Sequence, residues 1–275
     1  MPKKRKKTHR ASGSPPLTRG TYDIHWLAED HTKPSYNRLK HHPLKEKEGS
    51  RDRIRDFLSQ AIFDHHFHRQ RVADRLEALG HEEAARFFAS ELPRDNKTRK
   101  GNFGEVVASE NLIQRQGYLM PVFKIRFRDS HDLPMRGEDI VAFEIDAENR
   151  IKRIIIGEAK ATLKYSKSTV TKALERLNKA YHPRPMTLSM LAEILYETGN
   201  EILGRDVDRV SYELMSRNFP RDNWIFLINQ KQPYDVFGCI EDNEDVIPNL
   251  HCASLKLKDM TEFVNDLFDN TSLSR

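Results

Sequence analysis

Apolar residues follow a helical period in the first part of the chain, and from residue 101 helical and alternating segments mix. Through "SRDRIRDFLSQAIFDHHFHRQRVADRLEAL", residues 50–79, the positions Ile54, Phe57, Leu58, Ile62, Val72, Leu76 and Leu79 keep near-helical spacing. One long helix is predicted there, with Ser50 as its N-cap and Gly80 as its stop. "HEEAARFFASEL" predicts a second helix that ends before Pro93, and "PRDNKTRKGN" is a polar connector and a candidate domain boundary. "NFGEVVASENLIQRQ" then reads as a helix ended by Gly117. "MPVFKIRF", "EDIVAFEID" and "RIIIGEAKA" read as strands, the last two joined by the polar turn "DAENR". "SKSTVTKALERLNKAY" is a helix, and residues 186–217 are helical with a break near "TGN". "NWIFLINQ" is a buried strand, "VFGCIE" and "HCASLKLKD" are further strands, and "MTEFVNDLFDN" is a closing helix.

A helix, several strands, a helix and more strands predict an α/β fold, a mixed central sheet flanked by helices. Residues 1–49 carry "SGSPPLTRG" and "HHPLKEKEG" and little periodicity, so they read as a basic, mostly irregular arm. The expected organisation is an arm over 1–49, a helical appendage over 50–98 and an α/β domain over 99–275.

Charge sharpens that division. Of the 275 residues, the first 50 hold 12 Lys+Arg against 5 Asp+Glu, a net of +7, whereas the formal net charge of the whole chain is only +5. A basic arm on a near-neutral body favours a polyanion through counterion release. No apolar run approaches the roughly 18–20 residues of a membrane span, and "MPKKRKKTHR" has no apolar segment after its charges, unlike a secretory signal. The two cysteines, Cys239 and Cys252, form no CxxC pair and no disulfide framework, which makes a reducing cytoplasm the expected compartment.

Candidate chemistry lies at one end of the "EDIVAFEID" and "RIIIGEAKA" strands. Side chains alternate along a strand. Asp139, Val141, Phe143 and Ile145 therefore share one face of the first strand, and Ile154, Ile156, Glu158 and Lys160 one face of the second. In an antiparallel hairpin the start of the first strand lies beside the end of the second, which brings Asp139 to Glu158 and Lys160. Like charges held close repel unless a cation or proton sits between them. Hard oxygen ligands suit Mg²⁺ or Mn²⁺, and such a metal would activate water and stabilise charge on a phosphate. Gly137 and Gly157 would give backbone room beside the site.

"RGED…GEAK" resembles the split signature of the PD-(D/E)XK nuclease superfamily, with Asp139 as the acid and Glu158-Ala159-Lys160 as the Glu-X-Lys. Gly-Glu-Asp replaces the usual Pro-Asp, which leaves Glu138 as a rival for Asp139. The resemblance implies a restriction-endonuclease-like fold. It also implies a Glu from the preceding helix, a role that Glu105 in "GNFGE" fits, and Mg²⁺-dependent hydrolysis of DNA. Asp139, Glu158 and Glu105 would then serve the metal, and Lys160 would position the nucleophile. More narrowly, "GNFGE", "MRGEDIV" and "GEAKA" over residues 101–275 resemble the HamA family, nuclease subunits of the Hachiman antiphage defence system. That resemblance implies a helicase partner, HamB. A stand-alone restriction-type endonuclease and a non-catalytic DNA-binding adaptor are the competing functions.

Other features are weaker. From Arg150 to Arg184 there are ten Lys/Arg and two Asp/Glu. Lys164, Lys167, Lys172 and Lys179 there are candidate contacts to the DNA backbone. In "DHHFH", His65 and His68 are expected on one helix side without an acidic partner, a solvated or helicase-facing stripe more than a zinc site. Trp224 and Phe226 are expected in the core.

Overall fold

The computed structural model of the chain describes residues 26–127, 137–181, 187–216 and 219–271. The expectations that fall on residues 1–25, Arg136 and Arg184 lie outside that range. Strands β1 (Leu27–Glu29), β2 (Lys40–Glu46), β3 (Ile140–Ile145), β4 (Ile151–Lys164), β5 (Arg221–Lys231) and β6 (Leu250–Lys256) form one sheet in the order β1-β2-β6-β5-β4-β3. The four inner strands run parallel to one another, and β1 and β3 are antiparallel at the two edges. The helices are α1 (Arg51–His66), α2 (Arg69–Glu91), α3 (Asn96–Gln116), α4 (Lys167–Tyr181), α5 (Thr187–Glu197), α6 (Glu201–Met215), α7 (Gly238–Glu241) and α8 (Met260–Asp269). This is the mixed, helix-flanked α/β sheet that the sequence predicts.

The sheet is covered on both faces, which is why β5 reads as a continuous apolar run. On one face Val141, Phe143, Ile154, Ile156, Ile225 and Leu227 pack against α4, α5 and α6 through Leu174, Leu177, Leu188, Val207 and Val210. On the other, Ile140, Ala142, Ile155, Trp224 and Phe226 pack against Ala108 and Leu112 of α3. The β3–β4 hairpin has the predicted parity, with Val141 opposite Ile156 and Phe143 opposite Ile154. Its turn is closed by Asp146, whose Oδ1 accepts from the N–H groups of Glu148 and Arg150 at 3.0 and 2.8 Å.

Five expectations need correction. Part of the supposed arm is in the sheet: β2 pairs in parallel with β6 from Lys40 opposite His251 to Lys45 opposite Lys256. Trp26, Leu27 and Leu44 are buried in the same cluster as α1, α2, α3 and α8, so the expected appendage shares a core with the α/β domain. "KHHPLKE" hides this because it has no apolar alternation; β1 is only 3 residues long and leaves Pro43 beyond its register, an edge-like place for a residue without an N–H. The long first helix stops at Phe67, which is extended (φ −125°, ψ 135°), and α2 restarts behind it, kinks at Gly80 (φ 73°) and runs on to Glu91. "MPVFKIRF" is not a strand: the bridge to Phe143 is made by Leu119, just before it, and a 3-10 turn lies within it at Lys124–Arg126. "VFGCIE" holds the short helix α7 in place of a strand. Among the described residues, no helix is long and apolar enough to cross a membrane.

Candidate active site

β4 is the longest strand at 14 residues, and β3 covers it only from Ile151 to Gly157. Among the described residues, the β3-side edge of β4 has no strand partner beyond Gly157, and the chain entering β3 supplies one side chain in its place. Asp139 Oδ2 accepts the Ala159 N–H at 3.0 Å. A carboxylate thus takes the position of the next rung of the ladder, which fixes its orientation. Ile140 lies opposite Gly157, where a Cβ would approach Ile140 Cβ to 3.2 Å, so the small residue lets β3 close onto β4 beside the site.

Glu158 and Lys160 point to the α4 side of the sheet, as the parity predicts. Glu158 is 2% exposed. Burial pushes its carboxyl above the usual range, and the Asp139 charge pushes it further, against the pull of Lys160 and Arg176. Lys160 Nζ donates to Glu158 Oε1 and to the Ala159 carbonyl at 3.1 Å, and lies 3.5 Å from Asp139 Oδ2. Three oxygens from the sheet rim therefore converge on one cation, here the ammonium of the chain itself. Arg176 from α4 donates to the same Glu158 Oε1 at 2.6 Å.

Glu138 has a different task. Its carboxylate accepts the N–H of Thr187 at 3.1 Å and the Thr187 hydroxyl, and its own N–H donates back to that hydroxyl at 3.3 Å. The acid sits at the N-terminus of α5, where a negative charge is favoured. Gly137 allows the contact: its φ is +100°, and a Cβ there would lie 2.7 Å from Thr187 Oγ1. Lys124, which the sequence did not single out, holds the same segment. Its Nζ donates to the Gly137 and Glu138 carbonyls at 3.0 and 2.9 Å and lies 3.7 Å from Asp139 Oδ1. Asp139 is thus the acid that meets Glu158 and Lys160, with its neighbour committed to α5.

Glu105 comes from the opposite side. α3 packs closely on β4, where a Cβ at Gly104 would stand 3.0 Å from Ala161 Cβ. Glu105 lines a cleft together with Asp139, Glu138, Lys124 and His65, and Glu158 is not on its wall. No three His, Cys, Asp or Glu side chains among the described residues converge to hold a metal ion by themselves, so the expected trio of Glu105, Asp139 and Glu158 is not assembled as one ligand cluster. The oxygens that meet at one cation are those of Asp139, Glu158 and the Ala159 carbonyl.

The histidines differ from expectation. α1 ends at His66, so His65 and His68 do not share a helix side. His65 is buried, stacks on Phe123 at 3.6 Å, and its Nε2 lies 2.8 Å from Glu110 Oε1, the acidic partner that the sequence had not revealed. His66 is also buried, with Nδ1 2.6 Å from the Ile62 carbonyl. Among the candidate DNA contacts, Lys164, Lys167 and Lys172 are all exposed. Lys172 stands one turn before Arg176 on α4, whereas Lys167 borders another cleft beside Asp235, Glu241 and Asp242. Trp224 and Phe226 are buried core residues as expected.

A family model described as HamA matches residues 20–271. The Hachiman protein HamA of Bacillus cereus is 27% identical to this chain over 251 residues, which cover 89% of this chain and 88% of that relative. The similarity read from the motifs over residues 101–275 thus extends back through α2 and α1 to both N-terminal strands, elements that share a core with the rest. On a match of that extent, the chain belongs to the HamA family.

Proposed function

We propose that this chain is a metal-dependent DNA nuclease of the PD-(D/E)XK type, the effector subunit of a Hachiman antiphage defence system that works with a helicase. The observation that carries the reading is the convergence of Asp139 Oδ2, Glu158 Oε1 and the Ala159 carbonyl on the Lys160 ammonium. A cation already sits there, and the donors are the hard oxygens that suit Mg²⁺ or Mn²⁺. Asp139 and Glu158 would hold the ion, which when bound neutralises the carboxylates, lowers the pKa of water and stabilises charge on the phosphate.

The chain's own groups do the rest. The Ala159 N–H keeps Asp139 aimed at the rim. Lys160, anchored at the rim, would keep its ammonium within reach of a water or a phosphate oxygen and hold it for in-line attack. Glu105 borders the cleft beside Asp139 and acts on that water from the α3 side. Lys164, Lys172 and Lys179 offer charge to the DNA backbone beside the site.

A plasmid incubated with the protein, in Mg²⁺ or EDTA and with or without the helicase, tests the reading. Cleavage in Mg²⁺ that disappears in EDTA and in Asp139→Ala protein is expected. The Lys160–Glu158–Arg176 pairing gives a second reading some ground: these cations already neutralise the carboxylates, as a non-catalytic DNA-binding adaptor would allow. Wild-type protein that binds DNA and never cuts it, with or without the helicase, favours the adaptor.

A further inference from the structure

Arg176 takes no part in the chemistry above, yet it touches its centre. Its side chain is 62% exposed, while that of Glu158 is 3% exposed. The arginine reaches in from solvent on α4 and places Nη1 on the oxygen that Lys160 also contacts. A guanidinium has five N–H donors in a rigid fork. Among the described residues, Glu158 is the protein acceptor the fork engages. Lys172 and Lys179 lie one turn before and one turn after it on the same exposed face of α4, so the outward donors belong to a basic stripe that begins at the buried acid.

Two cations on one carboxylate oxygen leave little room for a third. A divalent ion at Asp139 and Glu158 would stand a few ångströms from both the ammonium and the guanidinium, and like charges at that range repel strongly. Lys160 is anchored in the strand, with its ammonium on three rim oxygens. Arg176 has one anchor and a long exposed stem, so it is the group that can leave. Once it leaves, its fork matches two oxygens of a phosphate.

We propose that Arg176 is an exchangeable residue of this centre, paired with Glu158 while no divalent ion is bound and transferred to a non-bridging oxygen of the DNA phosphodiester when one binds. The proposal rests on the nuclease reading. Wild type, Arg176→Ala and Arg176→Lys are compared by calorimetry of Mg²⁺ binding without DNA and by plasmid cleavage with the helicase present. Arg176→Ala loses a competing cation, so it should bind Mg²⁺ about tenfold more tightly. It also loses a phosphate donor, so it should cut about 10²-fold more slowly. Arg176→Lys keeps the charge without the fork and should bind Mg²⁺ like wild type while still cutting slowly. These opposed changes separate the proposal from a merely structural role, which would weaken both readouts in Arg176→Ala. An alanine variant with Mg²⁺ affinity at or below that of wild type overturns the exchange, and one with wild-type cleavage overturns the phosphate contact. If wild type itself neither binds Mg²⁺ nor cuts, the nuclease reading has failed and this proposal falls with it. If wild type does both and Arg176→Ala matches it, only the proposal falls.

Discussion

Glu138 and Asp139 are neighbours in the chain and part company in space, so their substitutions should separate. Glu138→Ala leaves the Thr187 N–H and hydroxyl at the start of α5 without their acceptor. A loss of about 1–3 kcal/mol in stability is expected, visible as a lowered melting temperature, with Mg²⁺ binding retained in the cold. Asp139→Asn keeps the shape and the bond from Ala159 N–H but loses the charge. It should melt close to wild type and fail to bind Mg²⁺ by calorimetry. The reverse pattern, a stable Glu138→Ala that binds no metal, would favour its rival Glu138 as the proposed metal-binding acid. Lys160 poses a different question. If it only balances charge, Lys160→Arg should retain much of the activity. If it positions water or phosphate, both Lys160→Ala and Lys160→Arg should stay soluble, bind DNA, and lose about 10²–10⁴ in cleavage rate. Cleavage and DNA binding measured on the same preparations decide it, and a Lys160→Ala protein that cuts at wild-type rate removes the residue from the mechanism.

At the scale of elements, the parallel seam between β2 and β6 carries a pH-sensitive contact. His42 Nε2 lies 3.1 Å from His251 Nδ1, and both rings stack on Trp224 with centroids 4.8 and 4.6 Å away. Burial, reinforced by His42 and by Lys40 and Arg153 nearby, pushes His251 down from 6.5 to about 4. Burial, then His41, pushes His42 down too, with Glu29 opposing. Both histidines bind fewer protons folded than unfolded, so the folded state loses stability as pH falls from about 6.5 towards about 4 and is unaffected by this pair above that window. Thermal melts of wild type and a His42→Gln/His251→Gln variant across pH 4–7 should show a shallower decline in the variant. Parallel curves would mean that the pair does not titrate on unfolding.

For the whole molecule, the N-terminal part divides at a different point from the one its composition suggests. Residues 1–19 hold seven Lys/Arg and no Asp/Glu, while residues 20–50 are balanced at five of each. β1, β2 and the buried Trp26, Leu27 and Leu44 all follow residue 19. Removing residues 1–19 should leave the melting temperature unchanged and flatten the salt dependence of DNA binding, by roughly 0.9 in the slope of log K against log salt for each phosphate that the shortened chain no longer neutralises. Removing residues 1–49 should cost the fold, since each large buried side chain contributes about 1.5–3 kcal/mol against a total of about 5–15 kcal/mol. An unchanged slope after the short truncation rejects the basic segment as a DNA-binding element. A soluble, cooperatively melting protein after the long one rejects the N-terminal strands as part of the core.

Local periodicity was enough for much of the framework. The alternation in "EDIVAFEID" and "RIIIGEAKA" determined which side chains share a face, because strand parity is a property of the backbone. With a turn too short for any other return, it also brought Asp139 to Glu158 and Lys160. Gly117 as the stop of α3 and the break between α5 and α6 were legible for the same reason: they are local conformational demands. Tertiary structure alone decided the remainder. Nothing in "KHHPLKE" marks a strand until β6 supplies its ladder, and nothing in "MPVFKIRF" forbids one until β3 offers a bridge at Phe143 alone. Lys124 and Arg176 reach the site from elements whose spacing to it exists only in the folded sheet. Which of Glu138 and Asp139 lies beside Lys160 was likewise decided at a distance, by Thr187 at the start of α5, whose N–H and hydroxyl Glu138 accepts while Asp139 stands at the rim of β4.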